Sequence, residues 1–108
     1  MATDFLVVLC TCPDKDSADR LAAMLVERRL AACVNIVAGL RSVFRWQGAI
    51  ETAEEQLLLA KTSTRHFGAV EEAIRAHHPY ELPEVVAVPL TAGSKDYLSW
   101  LEANICEL

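Results

Sequence analysis

Three segments of this chain, FLVVL (5–9), QLLLA (56–60) and EVVAV (84–88), are apolar at odd and even positions alike. Successive side chains of a strand point to opposite faces, so a strand with one wet face alternates apolar and polar residues. These segments do not alternate, and each predicts a strand covered on both sides. A sheet built from them needs two layers of cover. Helices on one side of the sheet leave the other side bare. A second copy of the chain is the economical source of the missing layer. The 53% apolar content, carried in only 108 residues, points the same way.

The remaining segments define the fold class. FLVVLCTC (5–12) reads as a buried strand closed by Pro13. PDKDSADRLAAMLVERRL (13–30) places Ala18, Leu21, Ala22 and Leu25 on one helical stripe. Asp14 or Asp16 is its expected N-cap, and Arg28 and Arg29 suit its negative end. Residues 32–62 read as a long β-hairpin with Gln47-Gly48 at the tip. Val34, Ile36, Leu40, Phe44 and Trp46 share one parity along the first arm, and Gly39 marks a bulge or bend. Residues 63–78 form a second helix with Phe67, Val70 and Ile74 inward, stopped by Pro79. EVVAVPLT (84–91) is a fourth strand, and residues 94–105 a terminal helix with Ser94 as N-cap. The order βαββαβ plus a helix predicts an α+β, ferredoxin-like sandwich in a single domain, residues 1–108.

Charge narrows the function. The net charge is −5 and the basic residues are scattered, so no nucleic-acid footprint is present. The first apolar run stops at Thr11 with no basic segment before it. It suits neither a signal peptide nor a membrane span, and a cytoplasmic protein with reduced thiols is expected.

The chemistry-bearing stretch is RAHHPYELPE (75–84). Histidines at a helix end ordinarily cap the last carbonyls and favour the negative dipole end. Pro79 also forces His78 toward an extended backbone, which could turn two imidazoles onto one ion. Cys10 and Cys12 share one face of the first strand, with Cys12 the more reachable thiol at the strand end. Cys33 and Cys106 read as small buried apolar residues. Thiolate with imidazole suits copper or zinc, not magnesium or calcium. His beside Glu81 and Glu84 has the makings of an acid–base pair. However, no nucleophile elbow or phosphate loop accompanies it, and no enzymatic activity is expected.

CTCPD, RLAACVNI, RWQGAIE, LLLAKT, HHPYELPEV and KDYLSWL, in this order along the chain, resemble the CutA family of divalent-cation tolerance proteins. That resemblance implies a ferredoxin-like subunit in a tight homotrimer, similar in shape to PII signalling proteins. It implies copper or a similar divalent cation as the bound ion, with Cys10, His77 and His78 as metal ligands. Cys12 is the substitute thiol and Glu84 a neighbour. Partners are then the chain itself and metal ions, with no nucleic acid and no membrane. The alternatives are a PII-like regulatory module that binds a small molecule or protein at subunit clefts, or a structural scaffold.

Overall fold

The structure, a computed structural model, describes residues 3–107. Strand β1 (Phe5–Cys12) leads into helix α1 (Lys15–Glu27), followed by β2 (Cys33–Trp46) and β3 (Ala49–Ser63). A single 3₁₀ turn (Thr64–His66) opens helix α2 (Phe67–His77), and β4 (Val86–Pro89) and helix α3 (Lys95–Ala103) complete the chain. The four strands form one antiparallel sheet in the order β2-β3-β1-β4. This is the ferredoxin-like α+β arrangement expected from the segment order.

Local chemistry explains the element ends. The Asp14 carboxylate accepts the Ser17 backbone N–H at 2.8 Å, capping α1. At the other end Arg28 is the C-cap and Arg29 takes a left-handed turn, φ 57°. The Arg29 guanidinium donates to the Ala103 carbonyl at 2.8 Å, so it ties α1 to the end of α3. Ser94 occupies the N-cap position of α3 without a side-chain hydrogen bond. Strand β4 is shorter than the sequence pattern implies, four residues beside β1, with Val88 opposite Val7 and Val86 opposite Leu9.

The hairpin departs from simple alternation at Gly39. Val37 pairs with Leu57 but Leu40 pairs with Glu55, so β2 spends one extra residue there. One extra residue flips every later side chain to the opposite face. Val34 and Ile36, opposite Ala60 and Leu58, therefore lie on the helix side. Leu40, Phe44 and Trp46, opposite Glu55, Glu51 and Ala49, lie on the other side. The single apolar stripe expected from parity is two stripes on two faces.

Helices α1 and α2 cover the first face. Val8, Cys10, Cys12, Leu58 and Ala60 pack there against Leu21, Leu25, Val70 and Ile74. The second face is partly closed by α3, whose Leu101, with Ile105 just beyond it, packs with Phe5 and Leu98. The terminal helix is thus a spare element that reaches the face expected to be bare, but only at one end. Val7, Leu9, Leu57 and Leu59 remain half-buried or partly covered on that face, and Val37, Val86 and Val88 are exposed.

Candidate functional site

Cys10 and Cys12 point the same way from β1 because they are two residues apart. They meet His78 at the end of α2. One sulfur of each cysteine and one ring nitrogen of His78 all lie within 4.8 Å of one another, and all three residues are buried. The cause is local. Pro79 denies His78 the helical conformation, so its backbone is extended (φ −78°, ψ 141°) and its ring turns inward.

The imidazole is held in one tautomer. Nε2–H donates to the Thr11 carbonyl at 2.7 Å, and Nδ1 accepts the Tyr80 backbone N–H at 3.0 Å. The Tyr80 ring stands 4.8 Å from the His78 ring, and its hydroxyl donates to Glu55 Oε2 at 2.7 Å. Burial and the bond to Glu55 hold the Tyr80 phenol well above its ordinary range. The Cys10 thiol is pushed far up by its hydrogen bond to Cys12, by burial and by the negative charge of Cys12, Glu84 and Glu55. The Cys12 thiol moves down, chiefly because Cys10 hydrogen-bonds to it. The pair therefore holds its second proton more tightly than its first.

His77 is elsewhere. Its Nδ1–H donates back to the Ala73 carbonyl at 2.9 Å, closing its own helix, and the residue is exposed. The two adjacent histidines diverge because one still obeys the helix and the other obeys the proline. Cys12, expected to be the more reachable thiol, is fully buried, just before the start of α1. Conversely, Cys33 and Cys106, read as buried, are only half-buried. Glu84 is exposed and outside the thiol–imidazole cluster, although its charge bears on Cys10. Glu81 is exposed and makes no hydrogen bond to a histidine.

The sequence reading missed Glu55 and Tyr80. Glu55 sits in a polar run (Glu54–Gln56) that looks solvated, yet it is buried. Its neighbourhood is a cavity of about 750 Å³ on the second face of the sheet, between the hairpin and the loop after Pro79. Thr11, whose carbonyl holds His78, also lines it.

The donor set fits a soft or borderline cation, since two sulfurs and a nitrogen converge without any carboxylate. Residues 6–104 match the family described as CutA1 divalent ion tolerance protein. The chain belongs to the CutA1 family. It is 51% identical over 98 residues to the divalent-cation tolerance protein CutA of Thermus thermophilus, covering 91% of this chain and 95% of that protein. The Thermus thermophilus structure superposes with a TM-score of 0.92 at 49% identity, covering 94% of this chain and 99% of that one. CutA1 from Oryza sativa superposes with a TM-score of 0.95 at 40% identity, covering 99% and 98% of the two chains. At that coverage the long hairpin and the terminal helix of this CutA1 chain both lie within the shared backbone.

Proposed function

We propose that this CutA1 chain binds copper, as Cu(I), at Cys10, Cys12 and His78, and serves as a non-enzymatic, cytoplasmic copper-binding trimer. The observation that carries the reading is the convergence of two thiols and one imidazole in a buried pocket. The family's relation to divalent cations supports a role with metal ions, while the choice of Cu(I) rests on the donor set alone. Cu(I) and Zn(II) both accept this donor set, and three ligands with no carboxylate favour Cu(I). His78 would bind through Nδ1, exchanging the Tyr80 N–H bond while Nε2–H keeps the Thr11 carbonyl. The bound ion would take the place of the reluctant second thiol proton, so uptake releases protons.

His77 has no part in this reading. Copper titration against a competing Cu(I) chelator, under reducing conditions, tests it on four proteins. His78→Ala and Cys12→Ser are expected to weaken binding by about tenfold or more, the scale of losing one ligand or its support. His77→Ala is expected to bind as the wild type does. Equal affinity in wild type and His78→Ala would falsify the site.

A further inference from the structure

The cavity beside Tyr80 carries chemistry that the thiol cluster does not use. Four glutamates line it, Glu51, Glu55, Glu81 and Glu84, and no lysine or arginine does. Glu55 is only 7% exposed. Its Oε2 takes the Tyr80 hydroxyl, while Oε1 receives no hydrogen bond from the described residues. No ion pair reaches it either: among the described residues the salt bridges are Lys15–Asp19, Arg20–Asp16 and Arg65–Glu102. Among the described residues no fully buried side-chain oxygen lacks a partner, so the unbonded Oε1 is open to the cavity, and a carboxylate there without a cation favours a positive occupant.

The shape of the site says which kind. The four carboxylates do not converge: among the described residues the only group of three or more acidic, cysteine or histidine ligands within 4.8 Å of one another is Cys10, Cys12 and His78. A point charge such as a metal ion therefore has no compact oxygen cage there. The volume is that of a small-molecule site. Three aromatic side chains, Phe44, Trp46 and Tyr80, also line it, with Val43 and Leu82 adding apolar surface. Phe44 stands directly opposite Glu51 on the hairpin, so a ring and a carboxylate share one wall. Aromatic faces with carboxylates attract an organic cation twice, through the ring quadrupole and through charge.

We propose that this cavity binds a small organic ammonium ion, its charge on Glu55 and its alkyl body against Phe44, Trp46 and Tyr80. No member of the thiol–imidazole cluster lines it, although Thr11 and Tyr80 touch both sites, so the test is run on metal-free protein. The bulge at Gly39 makes it, since without the flip in β2 Phe44 and Trp46 would face the helix side.

Calorimetric titration of the full-length, chelator-treated protein tests this with choline and its uncharged carbon isostere, 3,3-dimethylbutan-1-ol. Choline is expected to bind saturably, and the isostere about tenfold more weakly or worse. Glu55→Gln keeps an acceptor for the Tyr80 hydroxyl and is expected to weaken choline binding about tenfold. Glu51→Gln, on the exposed wall, provides a second variant in case Glu55→Gln misfolds, and is expected to weaken it less. Equal binding of choline and isostere overturns the proposal, as does unchanged choline binding in both variants. No saturable binding up to about 10 mM overturns it as well. So does a mass by light scattering that falls in Glu55→Gln without any choline binding by the wild type. That last result would make the occupant a basic side chain of a second copy.

Discussion

His77 and His78 are neighbours with opposite duties. The first returns its ring proton to Ala73, and the second, released from the helix by Pro79, goes to Thr11 and the thiols. Tyr80 then links this cluster to Glu55. Its phenol lies above the ordinary value of 10.0, first through burial and then through the Glu55 bond. A raised folded-state value means that the fold prefers the protonated phenol. The associated stability is present in full below about pH 10 and is lost as pH rises, because the unfolded chain ionises first. Denaturant melts from about pH 8 to 11 should therefore fall more steeply for wild type than for Tyr80→Phe. Parallel curves would refute this assignment, since the cysteine pair is common to both proteins.

At the scale of elements, the hairpin controls where the aromatic residues go. Its tip uses Gln47 at φ 49° and Gly48 at φ 83°, the pair of left-handed residues that a tight two-residue turn between twisted strands requires. Gly48→Ala forces a side chain into that conformation and should cost about 1 kcal/mol in chemical denaturation. An unchanged midpoint would show that the tip relaxes freely. Deleting Gly39 should have a different effect. It removes the extra residue, restores alternation, and sends Phe44 and Trp46 to the helix side. Trp46 emission, read with Trp100→Phe as background, should shift and the choline response should disappear. Unaltered emission would mean that the bulge re-forms at Ala38.

Across the whole molecule, the second sheet face is the unfinished part. Val86 and Val88 are about half exposed beside half-buried Val7 and Leu9. Contiguous apolar strips of this kind mark interaction sites. With the homotrimer proposed for this CutA1 chain, light scattering should return about three times the subunit mass, and the melting temperature should rise with concentration. Val88→Lys places a charge on the strip and should lower both. A monomer at micromolar concentration in the wild type would end the trimer proposal.

Periodicity is a local property, so the segment order and the ferredoxin-like class were legible in the sequence. So was the break at Pro79, a steric effect between adjacent residues, and so was the location of the irregularity at Gly39. The consequences of both came from tertiary packing. Alternation along β2 cannot show that Gly39 moves Phe44 and Trp46 to the opposite face, since that depends on the partner strand's register. Spacing cannot show that Cys12 is fully buried or that His78, 67 residues from Thr11, bonds its carbonyl. Nor can composition distinguish Glu55 from its exposed neighbour Glu54, because burial comes from a loop that folds over the sheet from 25 residues away. Long-range packing brings such groups together, and no local signal records it.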